Sequence, residues 1–209
     1  MKLAIVANEV MKEELLFTGV SNGCTINWVK TVADVPGNAD AVIDLLFEEN
    51  GYDVSFLEKL LPKPVFINSI NKSIAEIGYS FVRINGWPGF LNRSIAEVAC
   101  DSNTDKKEAE NIISMLNRKT EWVPDVKGFV SARVVSLIIN EAYFVLDENV
   151  STKSEIDIAM KLGTNYPLGP FEWSKKIGLK KIVALLNDLS KSEKRYRAAN
   201  LLVAEAEEL

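Results

Sequence analysis

The side chains that most often carry enzymatic chemistry are scarce in this chain. It has no His, and its two Cys, Cys24 and Cys100, lie far apart in the sequence. A Ser–His–Asp triad is therefore excluded, and two separated thiols cannot form a zinc site. The sequence contains neither a G-x-S-x-G nucleophile turn nor a P-loop lysine motif. The sequence does not exclude a catalytic Ser/Lys pair, although no pattern indicates one.

Carboxylates are the remaining candidates for chemistry. Four acidic residues surround one apolar run, namely Asp40, Asp44, Glu48 and Glu49. Carboxylates bind divalent cations when several of them converge on one point. Nothing in this spacing requires convergence, so we expect a solvated strand end and turn, and no metal site.

A polar pair, Asn140-Glu141, interrupts a long apolar segment. The pattern over residues 129–146 predicts a helix that is apolar on most faces, and such a helix must be buried inside a domain or against a partner chain. Buried polar side chains need hydrogen-bond partners. The pair could be functional or structural, and we favour hydrogen bonds that fix helix packing or a dimer register.

The elements that position these residues fall into two parts. Up to residue 125, strand and helix signals alternate, which predicts βαβ units on a mostly parallel sheet. Asn8 is the expected cap of the first helix, and Asp53 of a helix that Pro62 ends. From residue 126 the signals are helical only, with Thr152 as one expected cap and a last helix at 193–207. The predicted domains are therefore 1–125, α/β, and 126–209, all-α.

The composition is that of a soluble globular protein, with 47% apolar and 25% charged residues. A net charge of −5 argues against a nucleic-acid partner, which requires a basic face. The apolar runs are too short to span a bilayer, and the first residues lack the pattern of a signal peptide. We expect a cytoplasmic protein without a membrane partner.

Linked motifs in the second part carry a family resemblance. They are Gly128-Phe129, Asn140-Glu141-Ala142, I-D-x-A-M-x-x-G from Ile156 to Gly163, and Y-P-x-G-P-F-E from Tyr166 to Glu172. In this order they resemble the C-terminal helical domain of the 3-hydroxyacyl-CoA dehydrogenase family. The resemblance implies a shortened Rossmann-like domain followed by a helical dimerisation domain, a homodimer, and an acyl-CoA-like ligand.

The first part resembles the family's NAD-binding domain, shortened around the second and third strands. The three glycines of the family's phosphate-binding turn fall on Ala7, Glu9 and Lys12. An added Cβ, a carboxylate facing the pyrophosphate and a long side chain each oppose dinucleotide binding there. No cofactor-binding residue is predicted, and NAD is expected only if the family's activity is retained.

By the same resemblance, the family's catalytic His falls on Ile84 or Asn85. Glu97 fits the glutamate that orients this His, and Ser69 fits a strand end beside the nicotinamide. Ala132 stands where an Asn contacts the substrate. Glu97 is thus the candidate catalytic residue and Ser69 the candidate substrate-binding residue. Glu97 could act as a base if burial raised its pKa, or could simply pair with a nearby Lys or Arg.

Two hypotheses follow. The first is a catalytically silent, dimeric family member that binds an acyl-CoA-like ligand or a partner, such as an active relative that it regulates. The second is an active NAD-dependent 3-hydroxyacyl-CoA oxidoreductase of fatty-acid or butanoate metabolism with a rebuilt site. The loop at 166–173 either lines a ligand groove or only fixes the turn between two helices.

Overall fold

The computed structural model describes residues 1 to 209, and the chain divides into two compact units, Met1–Phe129 and Val130–Leu209. The division falls four residues after the expected boundary at residue 125. The first unit is α/β and the second has helices only, so the predicted fold class is confirmed. No helix is long and apolar enough to be a candidate membrane span.

A seven-stranded sheet forms the centre of the first unit. Its strands are β1 Lys2–Val6, β2 Thr25–Val29, β3 Ala41–Asp44, β4 Val65–Asn68, β5 Val82–Ile84, β6 Ile95–Ala99 and β7 Lys119–Trp122. The order across the sheet is β2-β1-β3-β4-β5-β6-β7. Every neighbouring pair is parallel except β5 and β6, as the alternating pattern predicts.

The central strands are apolar on both sides because both faces of the sheet are covered. Alternate residues face opposite sides, so Ile43 joins one core and its neighbour Val42 the other. The first core includes residues of α1 (Glu9–Leu16) and α3 (Lys106–Met115). The second core is closed mainly by loop residues and by the single-turn helix α2 (Ile74–Ile77).

The sheet ends at β2, where the sequence predicts the shortening. In the common doubly wound order, a third strand lies outside the second. Here the chain after Val29 forms only a short 3₁₀ helix, Val32–Asp34, and then enters β3 on the other side of β1. As a result β2 is an edge strand, and none of its residues is fully buried.

Two predicted helices are wrong. The Asp53 carboxylate accepts a hydrogen bond from the Ser55 amide at 2.9 Å and closes a turn, so that only a 3₁₀ helix, Glu58–Leu60, follows. The helix predicted at 193–207 is interrupted as well. A 3₁₀ helix, Lys194–Tyr196, is followed by extended backbone before the last helix begins.

The second unit consists of five α-helices. They are α4 Ser131–Asp147, α5 Lys153–Thr164, α6 Pro170–Ile177, α7 Leu179–Ser190 and α8 Asn200–Glu207. Ile182, Leu185 and Leu186 of α7 are completely buried. Helices α4, α6 and α8 pack against α7 and cover these side chains.

Helix α4 is buried along one side only. Ile139 is completely buried, whereas Val134 retains 49% and Phe144 36% of their exposure. Burial on all faces, which the apolar sequence predicts for this helix, is therefore not achieved within a single chain.

Candidate functional site

Polar side chains gather at the carboxyl edge of the sheet, where the parallel strands end. Asp44 is the last residue of β3, Asn68 is the last of β4, and Asn85 follows β5. None of the three is more than 4% exposed. Open α/β sheets bind their ligands outside this edge. This edge is therefore the candidate ligand site of the first unit.

Asn85 is hydrogen-bonded to Glu97. Strands β5 and β6 are antiparallel, and pairing of Ile84 with Val98 brings Asn85 opposite Glu97. Asn85 Nδ2 donates to Glu97 Oε2 at 3.0 Å, and the Asn85 amide donates to the Glu97 carbonyl at 3.0 Å. Ile84 instead lies in the apolar core. Of the two positions where a His is expected, Asn85 is the one that contacts Glu97.

This pair cannot perform the chemistry of a His–Glu pair. A carboxamide does not take up a proton at neutral pH, so Asn85 can orient a group but cannot deprotonate it. Glu97 also interacts electrostatically with Arg93. Burial lowers the pKa of Arg93, and the negative charge of Glu97 opposes this lowering. This interaction with Arg93 supports the predicted pairing of Glu97 with a basic residue.

Asn68 and Ser69 tie neighbouring segments of the sheet edge together. Asn68 Nδ2 donates to the Leu45 carbonyl at 3.0 Å, and its Oδ1 accepts from the Gly86 amide at 3.0 Å. A Cβ at Gly86 would lie 2.7 Å from Asn68 Cγ, which requires Gly there. Ser69 is buried and donates to the Lys72 carbonyl at 2.9 Å. Its role in substrate binding stays a prediction.

The acidic residues around β3 do not form one cluster. No group of three or more potential ligands is close enough to hold a metal ion. Asp40 accepts from the Lys2 amide at 2.7 Å, and Glu48 accepts from the amides of Ile70 and Asn71 at 3.1 Å. The expectation of a solvated strand end is wrong for Asp44, whose burial raises its pKa to about 6.

The first turn of α1 occupies the place of a dinucleotide-binding turn. Asn8 caps this helix as predicted, because its Oδ1 accepts from the Met11 amide at 2.9 Å. Lys12 pairs with Glu9 at 2.7 Å and lies 5.6 Å from the Trp28 ring centre. One helix amide is thus already satisfied, and a carboxylate stands in the first turn. These residues do not fit a pyrophosphate in that place.

The Tyr-Pro-x-Gly-Pro-Phe-Glu segment of the second unit is held by Asp157. The carboxylate of Asp157 accepts from the Phe171 amide at 2.8 Å and the Glu172 amide at 3.2 Å, and so caps α6 from another helix. A Cβ at Gly169 would overlap this carboxylate. Glu172 accepts from the Gly169 amide at 2.9 Å, and Lys161 lowers its pKa. The segment fixes a turn.

The two polar residues of α4, Asn140 and Glu141, lie in different environments. Asn140 is buried, donates to the Arg197 carbonyl at 2.9 Å and accepts from the Ala199 amide at 2.8 Å. These bonds hold the extended backbone before α8, which explains the interrupted helix. Glu141 is exposed. Asn140 therefore has the structural role in helix packing that the sequence favours.

Comparison with known proteins agrees with this arrangement. Residues 128–208 match the C-terminal domain of 3-hydroxyacyl-CoA dehydrogenase. The chain is 34% identical to the 3-hydroxyadipyl-CoA dehydrogenase of Escherichia coli over 111 residues, and 30% identical to the 3-hydroxybutyryl-CoA dehydrogenase of Clostridioides difficile over 165 residues. The chain belongs to the 3-hydroxyacyl-CoA dehydrogenase family. The matched segments cover 52% and 70% of this family member.

The matches span 23% and 59% of the lengths of these two relatives. A crystal structure of (S)-3-hydroxybutyryl-CoA dehydrogenase from Ralstonia eutropha superposes with a TM-score of 0.74. It covers 97% of this chain and 92% of that one at 20% identity. At this identity the likeness establishes the fold alone.

Arg83 is a buried residue of this family member that the sequence reading missed. Its side chain is completely buried and pairs with Asp125 at 2.6 Å. Its Nε donates to the Ser69 carbonyl at 2.9 Å, and the guanidinium lies 4.5 Å from the Phe129 ring. Arg83 thereby fixes the backbone of Ser69. A single charge inside an apolar strand was the signal that could have located it.

Proposed function

We propose that this chain is a catalytically silent member of the 3-hydroxyacyl-CoA dehydrogenase family that acts as a dimeric binding or regulatory protein. The observation that carries the proposal is the hydrogen bond between Asn85 Nδ2 and Glu97 Oε2 at 3.0 Å. Oxidation of a secondary alcohol requires a group that accepts the hydroxyl proton. Asn85 cannot accept it, and its amide engages one oxygen of the nearest carboxylate.

Two further features support the proposal. Ala132 is completely buried and has no side-chain polar atom for a substrate contact. The first turn of α1 carries the carboxylate of Glu9, and its negative charge opposes a pyrophosphate at the helix N-terminus. The expected ligand is an acyl-CoA-like molecule or an active relative, and no cofactor is expected.

The alternative is an active, NAD-dependent oxidoreductase with a rebuilt site. The relatives named above are dehydrogenases, and Glu97 contacts Asn85 at the sheet edge. In this case Glu97 would itself accept the proton, and Ser69 would contact the substrate. Both hypotheses predict the same fold, so enzymatic measurements must separate them.

An assay with 3-hydroxybutyryl-CoA and NAD tests the central claim. We expect no NADH production above background, since loss of a general base alone removes about 10²–10⁴-fold in rate. The Clostridioides difficile enzyme serves as the positive control. A steady rate typical of enzymes, abolished by Glu97→Gln in a folded variant, would establish the alternative instead.

Calorimetric titration separates cofactor binding from ligand binding. With millimolar NAD we expect no saturable heat, because the Glu9 carboxylate in the first turn of α1 would repel the pyrophosphate. Butyryl-CoA in the same experiment tests the acyl-CoA-like ligand, with free CoA as the control. Saturable NAD binding that disappears in a variant with a bulkier side chain at Ala7 would overturn the cofactor proposal.

The dimer proposal concerns the exposed side of α4. Val130, Val134, Leu137, Glu141 and Phe144 follow one another at intervals of four and three residues, the spacing of a helix–helix seam. Val130, Val134 and Phe144 are exposed by 55%, 49% and 36%. A second copy of the chain would cover this stripe, and a stable interface would bury more than about 1,200 Å² in total.

Light scattering at micromolar concentration tests the dimer. We expect twice the 23.2 kDa of one chain for the wild type and a single-chain mass for Val134→Asp. Val150→Asp is the matched control, since Val150 is 67% exposed but lies outside α4. Ile139→Asp is unsuitable, because Ile139 is completely buried within its own chain. A wild-type monomer would refute the dimer.

A further inference from the structure

Strand β2 is an open edge of the sheet in the first unit. It pairs with β1 alone, and the third strand of the common doubly wound order does not lie outside it. The Thr25 amide donates to the Met1 carbonyl at 2.9 Å, so the backbone groups of Thr25 point toward β1. Because the direction of these groups alternates along a strand, those of Ile26 and Trp28 point away from β1. Both residues therefore offer an amide and a carbonyl to a further strand.

The opposite edge of the sheet is protected against pairing, whereas β2 is not. Strand β7 carries the exposed charges of Lys119 and Glu121, and Pro124 follows it closely. Charged side chains and prolines are common means by which an edge strand avoids pairing with another chain. Strand β2, Thr25–Val29, contains neither a charged residue nor a proline. This difference favours β2 as the edge that accepts another strand.

The sequence of β2 is complementary to itself when two copies run antiparallel about Asn27. In this register Ile26 lies opposite Trp28 of the second copy, and the two residues exchange both of their backbone hydrogen bonds. A β-branched side chain opposite an aromatic one is a favourable cross-strand pair. Thr25 lies opposite Val29, and the two Asn27 side chains face each other at the axis. Every residue of the strand thus has a compatible partner.

The charges beside β2 do not oppose this pairing. Lys30 is the one charged residue between positions 24 and 30, and in the same register it lies opposite Cys24 of the second copy. Lys12 of α1 lies 5.6 Å from the Trp28 ring centre and pairs with Glu9 at 2.7 Å. Within positions 24–30, therefore, no like charges lie opposite each other, an arrangement that would destabilise a pair of strands.

We infer that two copies of this chain associate through β2, antiparallel about a two-fold axis at Asn27, so that their sheets join into one. A contact of this symmetry closes after two copies. It is made mainly by a five-residue strand, and interfaces that bury less than about 1,200 Å² are weak and transient. Association is therefore expected at high protein concentration. The inference does not depend on the proposed function, because β2 belongs to the first unit and α4 to the second.

Sedimentation velocity measures this association. Every chain in the experiment carries Val134→Asp, so that the α4 stripe does not contribute. Between about 10 µM and 1 mM, we expect the weight-average mass to rise from that of one chain toward that of two. Asn27→Lys should weaken the association about fivefold, because two lysines would lie opposite each other at the axis. Asn111→Lys is the matched control, since it adds the same charge at an exposed position of α3 and should change nothing.

Two further results test the register. Asn27→Lys and Asn27→Asp should each associate weakly alone, and their equimolar mixture should regain the affinity, because opposite charges then meet at the axis. Ile26→Pro should abolish association, since it removes an outward N–H and leaves the bonds to β1 in place. Ile26→Val keeps this N–H and is its control. With folding verified by circular dichroism, a mass of one chain at every concentration, equal effects of Asn27→Lys and Asn111→Lys, or no recovery in the mixture would overturn the inference.

Discussion

Two groups of polar residues, one in each unit, differ in what they bind. In the helical unit, Asn140 and Asp157 bind backbone groups of segments that follow them by many residues. At the sheet edge, Asn85 binds another side chain, and Glu9 and Lys12 pair with each other at the surface. The helical unit carries the family's motif residues, whereas the first unit has other residues at the glycine and His positions of the resemblance.

This difference follows from what each residue satisfies. A backbone amide at a helix start or in an extended segment must be hydrogen-bonded when it is buried, so a residue that supplies the bond is tied to the fold. A catalytic base or a phosphate-binding glycine interacts with a ligand and does not supply a hydrogen bond to the protein's own backbone. It can be replaced without unfolding the protein. The comparison can be tested by substituting residues of both kinds and measuring the free energy of unfolding.

Gly169→Ala should have the largest effect. The new Cβ would displace the Asp157 carboxylate, and the amides of Phe171 and Glu172 would lose their partner. We expect the free energy of unfolding in urea to fall by about 3 kcal/mol, the sum of a lost cap and an unsatisfied amide. Gly163→Ala is the control: no atom lies within 4 Å of its Cβ, and the change should be neutral or stabilising. Similar losses for both would contradict the capping role.

Asp44→Asn should stabilise the first unit. Burial raises the pKa of Asp44 from 3.8 to about 6, so the ionised form is disfavoured in the folded state. The folded chain therefore binds this proton more tightly than the unfolded chain, and wild-type stability should rise as the pH falls from about 6 to 4. The variant should gain up to about 3 kcal/mol at pH 8, and this gain should vanish below pH ~4.

Urea unfolding of wild type and Asp44→Asn across this pH range measures the effect. Asp53→Asn is the comparison, because that carboxylate is exposed and its pKa is lowered by hydrogen bonds to Ser55. It should not become more stable at high pH. A loss of stability in Asp44→Asn at pH 8 would show that the ionised carboxylate is favourable there.

Asn140→Ala should destabilise the helical unit by about 2 kcal/mol, because the Arg197 carbonyl and the Ala199 amide would lose their partner. Chemical denaturation monitored by helical circular dichroism is the measurement. Asn187→Ala, at an exposed position of α7, is the matched control and should be neutral or slightly stabilising. If both variants unfold at the same denaturant concentration as the wild type, Asn140 does not hold the segment before α8.

Glu9→Gln should have the smallest effect. The Glu9 side chain is 84% exposed, and its pairing with Lys12 at 2.7 Å is a surface ion pair. We expect a change in the free energy of unfolding of less than about 0.5 kcal/mol. A destabilisation above about 1 kcal/mol would mean that the replaced glycine turn has acquired a structural role, and the contrast between the units would fail.

The regular elements were predictable because their signals are local. Strand β4 follows from one apolar run, and Asn8 and Thr152 cap α1 and α5 as expected. The errors arose where a side chain binds the backbone in a non-helical way. Asp53 closes a turn with Ser55, and Asn140 holds an extended segment that the helical pattern does not reveal. Such contacts override helix propensity because each one supplies a hydrogen bond to a backbone group.

The sequence by itself determined the two-part architecture and the absence of an imidazole base, since both depend only on the order and type of residues. Only the tertiary structure decided that Asn85 and not Ile84 meets Glu97, because the antiparallel register of β5 and β6 sets that contact. It also decided that Asp157 caps α6, since the two lie apart in the chain and only packing of α5 against α6 brings them together.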